Sequence, residues 1–284
     1  STIAILLSYY TYSQEQGNSV LANLFSMSLE ELMNIEVQVA SKAGSNLRES
    51  PGIVSVLTES EIRHSGARDL IDLLRLLPGL EFGAEWDGII GLGVRGNNAT
   101  EGKALVLING HQINETNYGI FPFGRHILPD QIKRIEVIRG PGSSQYGGAA
   151  ELAVVNIILK KGDDLKGFDI SSGISYSHGA LSNKHIQANF GKTFKKLIFN
   201  LGGYYNQSNR SNLNLLMLDS TEIGYEKLSR IQSANFNFGI KSNNLNVSAL
   251  FDRFVTQNTE DAGDVLFQGF FGSVDYTLNI NDKL

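Results

Sequence analysis

The stretch Gly91-Leu92-Gly93-Val94-Arg95-Gly96 has the spacing G-x-G-x-x-G, with which dinucleotide-binding folds bring backbone N–H groups against a pyrophosphate. That chemistry needs a helix directly after the last glycine, so that its first amides point at the phosphates. Here Asn97 to Gly102 reads as a polar turn with a strand behind it, which argues against a nucleotide site. A second glycine-rich stretch, Gly140-Pro141-Gly142-Ser143-Ser144, lacks the Lys-Ser/Thr pair of a phosphate loop. The five histidines (His64, His111, His126, His178 and His185) show no metal-ligand spacing, and no H-E-x-x-H occurs. No serine lies in a G-x-S-x-G elbow. Asp163-Asp164 and Glu260-Asp261 sit in turn-like sequence and read as solvated carboxylates. Nothing in these residues calls for catalysis, a metal or a cofactor, so the chain reads as a non-enzyme.

Bulk composition narrows the class further. The chain has 284 residues, enough for one large domain or two ordinary ones. Its 24 basic and 29 acidic side chains leave a net charge of −5, without the clustered basic excess that a nucleic-acid partner requires. Cysteine is absent, which removes disulfides, thiolate metal sites and thiol nucleophiles. All five prolines fall at or before Pro141, whereas the second half is rich in Phe, Tyr, Asn, Ser and Gly. That reads as strands joined by polar turns, with the composition breaking near residue 165. No apolar run reaches the ~18 residues of a membrane-spanning helix. Ile3 to Leu7, followed by Thr11-Tyr12-Ser13, resembles the apolar core and cleavage region of a secretory signal without its Met and basic start. Residues 1–13 are therefore expected to be a clipped signal peptide.

The elements that follow differ on the two sides of the break. Ser28 to Met33 opens with a capping residue and carries early Glu, predicting a short helix. Ile35-Glu36-Val37-Gln38-Val39-Ala40 alternates apolar and polar residues as a strand does, and Ser41 to Ser50 reads as a flexible linker. A short strand on a tether suits β-augmentation, although an ordinary edge strand of the next domain fits equally well. Further on, Ile53 to Leu57 reads as a strand, with Thr58 the N-cap of a helix over Glu59 to His64. Leu70, Leu73, Leu74 and Leu77 recur at helical spacing up to the Pro78-Gly79 stop. Strands are expected at Gly91 to Val94, Leu105 to Ile108, Ile135 to Ile138 and Val154 to Leu159, with a tight turn at Asn109-Gly110.

Beyond residue 165, six runs alternate along their length, led by Phe168, Ile186, Leu197, Ala234, Leu245 and Val274. Their polar face is Asn, Ser, Gly and Gln rather than the Lys and Glu of a soluble sandwich. Each run approaches the ~9–11 residues with which a tilted strand crosses a bilayer. Tyr176 and Tyr205 at strand ends fit an interfacial girdle. Tight turns at Thr193 to Lys196 and Lys241 to Asn244 alternate with long polar links at Asn206 to Lys227 and Val255 to Phe267. Only one outer connection, His178 to Asn183, is short. The expected fold is an α+β plug domain followed by antiparallel transmembrane β-barrel strands. Plugged barrels have about 22 strands, so six make an incomplete barrel and the chain is expected to be a fragment.

The order of motifs resembles the TonB-dependent outer-membrane receptors. Ser50 to Thr58, Leu77-Pro78-Gly79-Leu80, Gly93-Val94-Arg95-Gly96, Val106 to Gly110 and above all Arg134 to Gly147 are similar to that family's plug, which Asn156-Ile157-Ile158 closes. The resemblance implies domains at 1–13 (signal), 14–40 (N-terminal segment with TonB box), 41–164 (plug) and 165–284 (first barrel strands). It implies a receptor in the outer membrane of a Gram-negative type cell, in contact with outer-membrane lipid. It would import a scarce large ligand, such as a ferric siderophore, haem or cobalamin, with energy relayed by TonB. It places the TonB box at Ile35, Glu36, Val37, Gln38, Val39 and Ala40, with Gln38 departing from the usual Thr or Val. Arg95 and Arg139 match plug arginines that pair with barrel glutamates. Ligand contacts are expected from apex loops at Phe82 to Ile90 and Thr116 to His126, through Trp86, Tyr118, Phe121, Phe123, Arg125 and His126. A passive plugged porin or an adhesin is the alternative.

Overall fold

The structure, a computed structural model, describes residues 36–37, 45–46, 53–84, 89–140, 146–177, 180–209, 211, 213–216, 220–224, 229–257 and 263–278. The chain forms two compact units, Ser1–Pro51 and Gly52–Leu284. In the first, Glu36 and Val37 pair antiparallel with Asn46 and Ser45. A short strand thus lies inside the stretch expected as an unstructured linker. The expected signal peptide, the helix at Ser28 to Met33, and Ile35, Gln38, Val39 and Ala40 lie outside the described residues.

The second unit opens with β1 (Ile53–Thr58), α1 (Glu59–His64) and α2 (Leu70–Leu74). Thr58 and Glu61 form a reciprocal capping box: the Glu61 carboxylate accepts from the Thr58 N–H at 2.8 Å, and the Thr58 hydroxyl accepts from the Glu61 N–H at 3.4 Å. Helix α2 buries Leu70, Ile71, Leu73 and Leu74 and stops three residues short of the expected end. The residue before a proline avoids helical backbone, so the chain loosens ahead of Pro78 while Leu77 stays in the core.

Next come β2 (Leu80–Ala84), β3 (Ile90–Val94), β4 (Ala104–Ile108), β5 (Ile132–Arg139) and β6 (Ala153–Leu159). The main sheet runs β1-β5-β6-β4 and ends on His111–Gln112. Strand β6 is parallel to β4 and antiparallel to β5. All seven residues of β6 are buried, as befits a strand covered on both faces. Asn109 and Gly110, with φ of 50° and 85°, make the tight turn out of β4.

Strands β2 and β3 form a small separate sheet with Asn97–Asn98. Here the G-x-G-x-x-G spacing finds its use. Gly91 and Gly93 lie in β3, Arg95-Gly96 turns the chain, and Asn97 and Asn98 pair back onto Val94 and Gly93. No helix follows, so the amide cradle of a dinucleotide site is not built. The apex loop expected over Phe82 to Ile90 is partly strand, because Phe82 to Ala84 belong to β2 and Ile90 to β3. Trp86 lies outside the described residues.

A helical turn, α3 (Gly162–Leu165), leads into β7 (Gly167–Ser177), β8 (Ala180–Phe194), β9 (Leu197–Asn209), β10 (Arg230–Ser242), β11 (Leu245–Gln257) and β12 (Asp264–Tyr276). These six pair in chain order, all antiparallel. A Cβ on Gly162 would stand 2.1 Å from the Phe199 carbonyl oxygen, so only glycine lets α3 lie this close to β9.

Several boundaries move. The sixth strand begins at Asp264, ten residues before Val274; Gln268 and Gly272 interrupt its outward apolar series and hid that start. Its link shrinks to residues 258–263. Strand β9 continues to Asn209, and the link after it carries a hairpin of Asn214–Leu216 with Glu222–Gly224. The first outer connection, expected over His178 to Asn183, is residues 178–179.

Burial in this sheet is inverted relative to a water-soluble protein. Phe168, Ile174 and Phe270 are 80%, 69% and 75% exposed, whereas Gln187, Asn206 and Ser233 are at most 1% exposed. Such a sheet needs an apolar surround on one face and a polar-tolerant filling on the other. Four outward rings make a row near the tight-turn end: Phe168–Phe190, Phe190–Phe199 and Phe199–Phe238, with centroids 4.5, 6.1 and 5.8 Å apart. The inner face departs from the expected polar lumen at one patch. Tyr204, Ile231, Leu250 and Phe254 are buried there, and Leu250 joins the core of the α+β domain.

Candidate functional site

The α+β domain grips the sheet through residues 121–131. Phe121 and Phe123 belong to the core, edge to face with each other at 4.8 Å, and Phe123 meets Phe82 at 5.1 Å. His126 is 2% exposed, lies parallel to the Phe121 ring at 4.8 Å and touches the Phe254 ring at 4.7 Å. Its Nε2 is 2.7 Å from Asp252 Oδ2 and its Nδ1 is 3.1 Å from the Pro122 carbonyl oxygen. Phe121, Phe123 and His126 therefore serve the interior and the wall, not a ligand-facing aromatic surface: three apolar or ring-stacked groups next to a packed sheet are worth more buried than wet.

Backbone and amide groups complete the grip. The Arg125 carbonyl oxygen accepts from the Tyr204 hydroxyl at 3.1 Å and from the Ser233 hydroxyl at 2.5 Å. Gln131 and Asn235 exchange amide hydrogen bonds, both 3.2 Å. The Arg125 guanidinium is half-buried, and that desolvation holds it below its ordinary pKa against the pull of Asp69.

A cleft of about 760 Å³ opens between the first half of the same expected loop, Thr116 to His126, and β12. Glu101, Lys103, Glu115, Tyr118, Leu266 and Gln268 are among its lining residues. Its loop is built from within. Asn114, buried, accepts from the Val106 N–H and donates to the Ala104 and Gly119 carbonyls. Glu115 accepts from the backbone N–H groups of Asn117, Tyr118 and Ile120. Burial alone would raise the Glu115 pKa, but the backbone donors of Asn117, Ile120, Tyr118 and Gly119 together hold it below the usual carboxylate range. Gly119 has φ of 70°, and a Cβ there would fall 2.6 Å from Gly102 Cα. The fold thus presents Tyr118, 70% exposed, on a fixed turn at the mouth of the cleft.

The cleft adjoins the first residues of β12, at the end of the sheet where the long links lie. A second, smaller cleft of about 310 Å³ lies at the tight-turn end, between Asn109 to His111 and side chains that include Asn200, Lys241 and Asn246. Lys161 lines it, and desolvation, then the nearby Lys241 charge, lowers its pKa.

Arg139 donates to the Pro78 carbonyl at 2.6 Å and to the Ser55 hydroxyl at 2.6 Å, tying β5 to β1 and to the turn after α2. Arg95 is exposed on its turn with φ of 52°. The structure does not bring the two arginines together with a glutamate among the described residues. The described part of the expected box, Glu36–Val37, is paired with Ser45–Asn46 of its own chain. Among the described residues no group of three or more His, Cys, Asp or Glu is placed to hold a metal ion.

Sequence reading missed Asn114, Glu115, Gln131, Asn235 and Asp252. Asp252 had a visible signal: by alternation it faces inward with Asn246 and Ser248, and it is a charge among neutral groups. Gln131 and Asn235 carry none, since each finds its partner far away in the chain, whereas Asn114 and Glu115 bond to near neighbours in the chain and look like ordinary turn residues until their loop is folded.

A family model described as TonB-dependent Receptor Plug Domain matches residues 46–153. The vitamin B12 transporter BtuB of Vibrio vulnificus is 31% identical over 164 residues, covering 55% of this chain and 25% of that protein. The ferrienterobactin receptor of Escherichia coli K12 is 35% identical over 141 residues, covering 44% of this chain and 18% of that protein. The chain thus spans a quarter or less of the length of these curated relatives. Among solved structures, the siderophore receptor PirA of Acinetobacter baumannii superposes with a TM-score of 0.55 at 20% identity, covering 75% of this chain and 32% of that one. A mutant of the ferric enterobactin receptor PfeA of Pseudomonas aeruginosa gives 0.54 at 20% identity, covering 76% and 34%. At these identities the structures speak to fold alone.

Proposed function

Because residues 46–153 match the plug of the TonB-dependent receptors and the strands that follow have the fold of such receptors, we propose that the chain is a receptor of that family and acts in an outer membrane as an energised importer of a scarce, large ligand. Its relatives point to the ligand class, a ferric siderophore or a macrocycle such as vitamin B12, and haem is a further macrocycle of that size. The observation that carries this reading is the cleft at the long-link end, where the fixed Tyr118 turn of the plug faces β12 of the wall. A cleft of this volume takes a ligand of drug size or larger. Its mix of ring, amide, ammonium and carboxylate groups suits a polar chelate.

In this mechanism Ile35 to Ala40 pairs as a strand with TonB on the periplasmic side, main-chain hydrogen bonds giving the affinity. Pulling on that strand transmits work from the proton gradient, about 2.3 kcal/mol per charge per 100 mV, to the plug. The plug shifts against the inner face of the sheet, and the ligand passes. Arg95 and Arg139 are assigned to the plug–barrel charge cluster of the family, and Trp86 and Tyr118 to the ligand face.

The test is uptake by cells carrying the receptor in the outer membrane, with radiolabelled ferric enterobactin and radiolabelled cobalamin as probes. Deleting Ile35 to Ala40 abolishes uptake of the bound probe and leaves surface binding intact. Uptake that survives both the deletion and collapse of the proton gradient would replace this reading with a passive plugged porin.

A further inference from the structure

Resting on the membrane placement proposed above, we infer that the tight-turn rim of the sheet carries a binding site for one anionic glycerophospholipid of the periplasmic leaflet. A groove of about 480 Å³ lies where α3 runs into β7 and where β8 ends. It is lined by Lys166, Lys192, Thr193, Phe168, Phe190 and two glycines, Gly162 and Gly167. The two rings are cross-strand partners with centroids 4.5 Å apart, and Phe168 is 80% exposed, so they form an open aromatic floor.

The two lysines are the second half of the site. Both are exposed, and neither makes an ion pair among the described residues, whereas the neighbouring Lys133 and Lys160 are taken by Asp164 and Glu59. Lys192 leans over the ring of Phe194, the last residue of β8, its ammonium 5.0 Å from the centroid, so it reaches past the aromatic row toward the turn. Lys166 is held at the rim by backbone with φ of 47°, directly after α3. The adjacent Asp169 belongs to the inward series of β7 with Ser171 and Gly173 and does not neutralise this face.

Geometry selects the occupant by charge and depth. The Phe168–Phe190–Phe199–Phe238 row marks the interfacial belt, where rings meet the headgroups. Two unpaired ammoniums just beyond such a belt lie at phosphate depth, and basic groups there favour anionic headgroups. An aromatic floor continuous with the lipid-facing surface receives the glycerol and upper acyl chain, which a free phosphate does not possess. A phosphatidylglycerol-type lipid satisfies both halves; a zwitterionic lipid brings its own ammonium to two others.

The experiment uses the full receptor inserted in nanodiscs of phosphatidylcholine with a minor fraction of phosphatidylglycerol, the retained lipids being counted by native mass spectrometry. Wild type retains one phosphatidylglycerol with about a tenfold preference over phosphatidylcholine, as two surface lysines can supply. The K166Q/K192Q variant falls to near parity, and K166R/K192R keeps the preference. No preference in wild type, or a preference undiminished in K166Q/K192Q, overturns the site. Displacement of the lipid by millimolar inorganic phosphate also overturns it, because the site would then be one for free anions. Insertion into pure phosphatidylcholine nanodiscs is the separate reading: if wild type and both variants fail to insert, the membrane placement fails instead.

Discussion

The contact between His126 and Asp252 makes a prediction whose sign is not obvious. Both ring nitrogens of His126 face acceptor oxygens, Pro122 O and Asp252 Oδ2, inside a sandwich of Phe121 and Phe254. Replacing His126 by Phe keeps the ring stack but leaves the Asp252 carboxylate buried and unpaired. A buried charge stripped of its partner costs about 3–5 kcal/mol. Asp252→Leu strands only the ring nitrogen Nε2, since Nδ1 keeps the Pro122 carbonyl, and one buried unpaired group costs about 1–3 kcal/mol. Carrying both changes together removes donor and acceptor at once, and an apolar pair of similar shape can be close to neutral. The double variant is therefore expected to be more stable than His126→Phe alone. Amide exchange over residues 121–131 of the inserted receptor, read by mass spectrometry, reports the opening of this contact. His126→Phe should accelerate it about a hundredfold or more, Asp252→Leu by about tenfold, and the double variant should fall below the faster single. Unchanged exchange in His126→Phe, or additive losses in the double variant, would refute the claim that this pair latches plug to wall.

Other expectations follow from the cleft loop. Glu115 has a depressed folded pKa, so the stability it contributes is complete above the ordinary glutamate value, about 4.3, and is lost as pH falls through the folded value. Exchange of the amides at 116–120 should thus rise below about pH 4 in wild type, and Glu115→Gln should show no such rise, starting about 1–2 kcal/mol looser at neutral pH. Gly119→Ala, pressed against Gly102 with a positive φ, should weaken probe binding at least tenfold while leaving exchange over β5 and β6 untouched. Deletion of Ile35 to Ala40 should separate uptake from binding, and loss of both would sink the box assignment.

What the sequence disclosed depended on how local each cause was. Thr58 with Glu61 is a four-residue pattern, and the helix starts where that pattern puts it. Asn109-Gly110 turns because those two residue types tolerate positive φ. The six alternating runs announced the sheet, since period two is written along each strand. Their ends were harder: Gln268 and Gly272 in the outward series hid the first half of β12, and polar residues at the head of β8 looked like loop until their partners on β7 and β9 paired them. Phe121, Phe123 and His126 show the opposite limit. An aromatic loop reads as a surface until the wall that covers it, Asp252 and Phe254 on a strand far down the chain, is folded against it.

That wall also bears on how a plug can be both held and moved. The grip is made of hydrogen bonds from Tyr204 and Ser233 to one carbonyl, an amide exchange at Gln131–Asn235, and one imidazole–carboxylate contact, with a modest apolar patch around Phe254 and Leu250. Neutral hydrogen bonds contribute about 1 kcal/mol each, because water offers replacements once they open. An interface of packed leucines would instead lose its whole hydrophobic term on separation, with nothing to compensate. A polar grip is specific in register yet inexpensive to exchange for water. In the mechanism proposed above, work delivered in steps of a few kcal/mol would suit such a grip, and the His126–Asp252 pair, the costliest contact to open, is where that work would be most needed.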